Sequence, residues 1–332
     1  MKNKIYQHDK YVKAFKSIRA LVTADLGQFM IFLIGVSRVG KTTLQEDLLK
    51  SLPRDWDGKV VRFEAPPKMT AQFSIRPFLL RYLEHIGDPF SALRVRSYAR
   101  MKTHELIELI VRRIRQKGVK LVIVDESDLF VTVRGDAQAY ENLQFLKSLV
   151  NITGIPHLFA GTPPLAEFLA MEGQVINRSH VVRLTPYNYD NDEHVKIYLQ
   201  VLKKFEKSLT VPLNQELKKD PIVLFQATNG CIGALKELLV RMEAMAIAHE
   251  QDTISAQLIS TFGFYDPNNI RAEEIEEFNN LSTSNKSEQS VSTKPEPNPN
   301  KEATKERKWH RKPSRRKPGQ RKSHADKVGG AL

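Results

Sequence analysis

The chain has 332 residues, of which 41% are hydrophobic, and a formal net charge of +13. That length and apolar content allow one large domain or two modest ones with a real core. Its single cysteine, Cys231, excludes an intramolecular disulfide and a cysteine-rich zinc site.

In chain order, residues 1–10 are polar and lack the apolar stretch of a signal peptide. Val12, Phe15, Ile18, Leu21 and Val22 recur at helical spacing and predict an amphipathic helix over 11–22. The apolar run at 29–34 reads as a buried strand, with a helix over 42–52 behind it. Such runs fall far short of the ~20 residues that span a bilayer, so a cytoplasmic protein is expected. Residues 59–65 (KVVRFEA) read as a second strand, and 78–86 as a helix stopped at Gly87. Thr103 reads as the N-cap of a helix reaching Lys117, with Gly118 just past its end. Residues 120–124 (KLVIV), 155–160 (IPHLFA) and 181–184 supply three more strands, with a helix over 140–151 between the first two. This alternation predicts an α/β fold, a mostly parallel sheet covered on both faces.

After Thr185-Pro186 the strands stop, and 193–207, 221–228, 232–249 and 254–261 read as helices. The expected division is an N-terminal helical segment over 1–27, a nucleotide-binding α/β domain over 28–185, a small all-α lid over 186–262, and a linker with a basic tail over 263–332. From about residue 279 the chain is polar and Pro-rich, which predicts disorder. Residues 301–332 hold 12 Lys/Arg against 3 Asp/Glu, a net +9, which leaves only +4 for the rest.

The motif that decides the chemistry is Gly35-Val36-Ser37-Arg38-Val39-Gly40-Lys41-Thr42, a complete G-x-x-x-x-G-K-T between a predicted strand and a predicted helix. Backbone N–H groups of such a loop, Thr43 included, wrap phosphates at the positive end of the helix. Lys41 would reach the β- and γ-phosphates of ATP, and Thr42 would hold Mg²⁺. Leu121-Val122-Ile123-Val124-Asp125-Glu126 then places an acid at the end of a buried strand, which is costly unless it meets a cation. Asp125 suits the metal and Glu126 the base that orients water, which favours hydrolysis over transfer to a small molecule.

Other candidates are less specific. Thr162, after the fourth strand, would touch the γ-phosphate or water. Either Arg178 or Arg183 would serve as an arginine finger into a neighbouring subunit. Lys236 opens a later helix and would reach the phosphates. Lys68, Arg94, Arg96, Arg100, Lys102 and Thr103, with Arg112, Arg113 and Arg115, are candidate phosphate contacts for double-stranded DNA. The tail around Trp309 would grip DNA or dock a protein partner, and both readings stand.

Two segments carry a family resemblance. VIVDESDLF followed by LQFLKSLVNITGIPHLFAGTPPL resembles the bacterial transposition regulators TniB and TnsC, which are AAA+ proteins. The likeness extends over about residues 6–262 and includes the early helix, the Gly35–Thr42 loop and Glu64-Ala65-Pro66-Pro67-Lys68-Met69-Thr70. It implies an ATPase that self-assembles with ATP and Mg²⁺ into rings or filaments on double-stranded DNA. It would connect a TniQ-like target selector, in some systems with a guide-RNA complex, to a transposase. By position it assigns Lys41 and Thr42 to Walker A, Asp125 and Glu126 to Walker B, Thr162 to sensor 1 and, less closely, Arg178 to the finger. The family often has His or Gln soon after Asp-Glu, where this chain has Ser127-Asp128, which puts any contact made there in question. A signalling or defence NTPase and a helicase loader are the rival readings.

Overall fold

The computed structural model describes residues 8–24, 27–67, 74–87, 98, 100–130, 136–170, 179–219 and 221–262. The chain divides into two units, Met1–Lys286 and Ser287–Leu332, and every described residue lies in the first. The disorder expected beyond residue 279 therefore falls outside the described residues.

Five short strands build the sheet: β1 (Met30–Ile34), β2 (Val60–Glu64), β3 (Leu121–Asp125), β4 (His157–Gly161) and β5 (Ser179–Arg183). Their order is β2-β3-β4-β1-β5, and each neighbouring pair is parallel. In β1, β3 and β4 every residue is buried, because helices cover both faces and each side chain meets apolar neighbours. Met30, Phe32, Val122, Val124 and Phe159 point to one face. The alternate residues Ile31, Leu33, Ile123, Leu158 and Ala160 point to the other.

The first face is covered by α3 (Ile75–His85), α4 (Thr103–Lys117) and α5 (Asp136–Thr153). The second is covered by α1 (Asp9–Thr23) and α2 (Lys41–Ser51). A short α6 (Pro164–Ala170) follows β4 and has no counterpart in the sequence reading. The α4 cap corrects that reading by one residue. Lys102 is the N-cap, its N–H donating to the Glu105 carboxylate at 2.6 Å, and Thr103 is the first helical residue. Gly118 does end that helix, in the left-handed conformation.

Beyond β5 come α7 (Asp192–Glu206), α8 (Gln215–Lys219), α9 (Ile222–Thr228), α10 (Ile232–Ala248) and α11 (Ala256–Phe262). They enclose a separate apolar cluster running from Tyr187 to Ile259. Two links hold these helices to the sheet. Cys231 and Ala234, at the start of α10, join the cluster under α1 and α2. The start of α1 also grips the chain leaving β5. Tyr187 hydroxyl donates to His8 Nδ1 at 2.7 Å, Lys10 donates to the Pro186 carbonyl, and Tyr11 donates to Asp47 of α2 at 2.6 Å.

His157 begins β4 with no exposed surface. Its Nδ1 lies 3.0 Å from the Ile155 carbonyl, which only accepts, so Nδ1 carries the ring hydrogen and Nε2 accepts from Tyr82 at 2.9 Å. Burial lowers its pKa to about 4. The unfolded chain takes up a proton below about pH 6.5 while the fold resists it, so stability is full above that pH and falls as pH drops toward 4. His157 should remove roughly 3 kcal/mol over that window. Urea unfolding at stepped pH would show it, and His157→Gln should flatten that part of the curve. Parallel curves for the two proteins would refute this account.

Candidate active site

The C-terminal ends of parallel strands are where α/β sheets bind ligands. Here β4 lies between β1 and β3, so the segments leaving all three strands converge. From β1, Gly35 comes so close to the exit of β5 that a Cβ on it would lie 2.5 Å from the Leu184 carbonyl oxygen. Val36 and Val39 are buried and pin the loop to the core, while Ser37 and Arg38 are exposed at its crest. Arg38 takes a left-handed φ of 61°, a strain of order 1 kcal/mol for a residue with a side chain. Gly40, at φ 111°, caps α2.

The bond from Leu44 N–H to the Gly40 carbonyl, 3.0 Å long, starts that helix. The N–H groups of Lys41, Thr42 and Thr43 therefore have no carbonyl of their own helix to meet, the arrangement that attracts anions. Lys41 Nζ donates to the carbonyls of Gly35 and Val36 at 2.6 and 3.1 Å, so its ammonium lies over the loop.

Thr42 Oγ1 donates to Asp125 Oδ2 at 3.3 Å. The same oxygen lies 3.7 Å from the Arg62 guanidinium, which comes from β2. The other carboxylate oxygen, Oδ1, accepts from Glu126 N–H at 3.0 Å. Glu126 itself is exposed and turns at φ 54°, carrying the chain out of β3 into a 3₁₀ turn over Ser127–Phe130. Its pKa is raised, first by partial burial and then by the nearby carboxylates of Glu64, Asp125 and Asp128, with Arg81 opposing. A carboxylate held in that way accepts a proton more readily than an ordinary one.

From β4, half-buried Thr162 sits between the other two segments, its N–H donating to Asp128 Oδ1 at 3.2 Å. The structure thus brings together Gly35–Thr43, Asp125, Glu126 and Thr162. Arg183 ends the edge strand β5 beside Ile34, exposed to solvent. Lys236 lies half-buried on the first turns of α10. Arg100, Lys102 and Thr103 are exposed around the start of α4. Arg178, Lys68, Arg94 and Arg96 lie outside the described residues.

Sequence reading missed the contacts between distant segments. Arg38 pairs with Glu237 of α10 at 3.2 Å. A Cβ on Gly233 would lie 2.2 Å from the Arg38 carbonyl oxygen, so α10 presses directly on the loop. Nothing local marked Arg62, whose partner is 63 residues away along the chain, or showed that Asp128 meets a group 34 residues on. The glycine pair around Cys231-Ile232 was the one visible sign of a close approach.

Residues 25–169 match the family model described as AAA domain. No curated protein matches the chain in sequence. Among solved structures, the Walker-type ATPase PABY2304 of Pyrococcus abyssi matches over 84% of this chain and 77% of its own, with TM-score 0.52 and 13% identity. The ORC1 protein of Aeropyrum pernix, solved in complex with DNA, matches over 77% of this chain and 65% of its own, with TM-score 0.56 and 13% identity. The parallel sheet with its loop after β1 is a P-loop fold of the AAA type. The general chemistry of such a domain is nucleoside triphosphate hydrolysis. No helix among the described residues is long and apolar enough to cross a membrane.

A methyl group at Gly233 must push α10 and the loop apart. Gly233→Ala should weaken the binding of a fluorescent ATP analogue by about tenfold or more. Wild-type affinity in that variant would show that the contact does not shape the loop.

Proposed function

We propose that this chain is an ATPase that assembles with copies of itself on double-stranded DNA and prepares a target for transposition. The observation that carries the ATPase part is the convergence of Lys41, Thr42, Asp125, Glu126 and Thr162 at three neighbouring strand ends. In this reading residues 28–185 are the nucleotide-binding domain, and residues 186–262 are a lid packed on the loop through Gly233 and the Arg38–Glu237 pair.

The loop N–H groups and Lys41 would bind the phosphates of ATP. A hydroxyl and a carboxylate 3.3 Å apart are hard oxygen donors, which fits Mg²⁺ held by Thr42 and Asp125. When bound, Mg²⁺ neutralises charge on the β- and γ-phosphates. Glu126, with its raised proton affinity, would orient the attacking water and take its proton. Thr162 would contact the γ-phosphate or that water. Arg178 or Arg183 would complete the site of a neighbouring subunit, an edge position that suits the exposed end of β5. Lys236 would add a contact to the phosphates from the lid.

The DNA part is supported by the ORC1 structure with DNA, by the basic residues near α4 and by the resemblance to TniB and TnsC. Lys102, Thr103, Lys68 and Arg96 would meet phosphates without reading sequence. A transposase and a TniQ-like selector, with or without a guide-RNA complex, are the partners that this resemblance implies.

Glu126→Gln should keep ATP binding, lower kcat by about 100-fold or more, and leave long-lived oligomers on double-stranded DNA. Negative-stain microscopy with ATP and DNA, beside a phosphate-release assay, tests both halves. Regular assemblies should form with ATP and DNA together and dissolve steeply as salt rises. If assembly and hydrolysis ignore DNA, the DNA half falls and the ATPase half stands.

A further inference from the structure

We infer that Asp128 is a positioning residue for hydrolysis, fixing the peptide between Gly161 and Thr162 as a bridge from the phosphate-binding loop to the Asp125–Glu126 turn; this rests on the ATPase reading above.

That peptide is bonded at both ends. Its carbonyl, on Gly161, accepts from Gly35 N–H at 3.1 Å. Its N–H, on Thr162, donates to Asp128 Oδ1 at 3.2 Å. A peptide unit is planar, so two bonds on opposite edges fix its orientation. One rigid group thereby spans the start of the loop and the turn that carries Glu126. The Thr162 carbonyl is also engaged, by Leu165 N–H at 3.0 Å, so Thr162 is held on both sides of its Cα.

The local sequence is shaped for this contact. Glu126 at φ 54° reverses the chain out of β3, and the turn is closed by Leu129 N–H on the Glu126 carbonyl at 3.1 Å and by Ser127 Oγ on the Val124 carbonyl at 2.9 Å. Asp128 is thereby carried over the end of β4. There a Cβ on residue 161 would lie 2.9 Å from Asp128 N and 3.1 Å from its Oδ1. Glycine at 161 is needed for space alone, because its φ is not left-handed.

The bond needs an acceptor oxygen at that point and does not need charge, which sets the test. Asp128→Ala should lower kcat for ATP about tenfold or more while changing the Kd for ATP by less than about threefold. Asp128→Asn, which keeps the oxygen, should recover most of that loss. Gly161→Ala should reproduce the fall in kcat with the carboxylate still present, and it decides the matter if Asp128→Ala fails to fold. Equal kcat in Asp128→Ala and wild type overturns the inference, and so does Asp128→Asn falling as far as Asp128→Ala. A wild-type chain that binds ATP without hydrolysing it removes the ATPase reading itself, and this inference with it.

Discussion

Asp125 closes a strand in which every residue is buried, and its side chain is only 11% exposed. A carboxylate in that place destabilises the strand end unless donors or cations meet it. Three groups do so, and each comes from a different element: the Thr42 hydroxyl from α2, the Arg62 guanidinium from β2 and the Glu126 N–H from the turn after β3. Satisfying one buried charge thus fixes the register between the loop helix and the middle of the sheet. Arg62 and Thr42 share Oδ2, so the oxygen nearest the loop is also the one beside a fixed positive charge.

Much of this was legible in the sequence because it rests on local pattern. Apolar runs ending in Gly35 and in Asp125-Glu126 gave β1 and β3 to within a residue or two, since a strand buried on both faces leaves no polar position inside it. The helices of 186–262 followed from spacing alone, except α8, whose five residues are too short for a period to show. The strand order was not legible. Nothing local says that β4 inserts between β1 and β3, yet that insertion brings Thr162 to the other two segments. The reading of Thr103 as a cap failed because Glu105 reaches back to the Lys102 N–H, which makes Lys102 the boundary.

The glycines around α10 show where the sequence signal ended. Gly230 takes φ 67°, and a Cβ on it would lie 1.9 Å from the Tyr187 carbonyl oxygen, so it is required by conformation and by space together. Gly233 takes no such φ and is required by space alone. In the sequence the two look alike. Only the fold shows that one fits the exit of β5 and the other the phosphate-binding loop, which makes the start of α10 a shared boundary between the two apolar clusters.

Nucleotide chemistry and DNA contact, the two halves of the proposed function, make different demands on a chain. Phosphates at a helix start are held largely by backbone N–H groups and one lysine, so the site needs little net charge and is specified by glycines and strand ends. Contact with a DNA backbone needs side-chain cations, whose effect is long-ranged and depends weakly on their exact place. Residues 1–300 carry a net charge of only +4, so any DNA-binding face on the folded part must gather cations locally. Arg100 and Lys102 at the exposed start of α4 are such a gathering among the described residues, on an element separate from α2, which carries Lys41, and β3, which carries Asp125. Under the proposed DNA-binding function, loss of a cation there should therefore alter DNA affinity with little direct effect on the hydrogen bonds around Asp125.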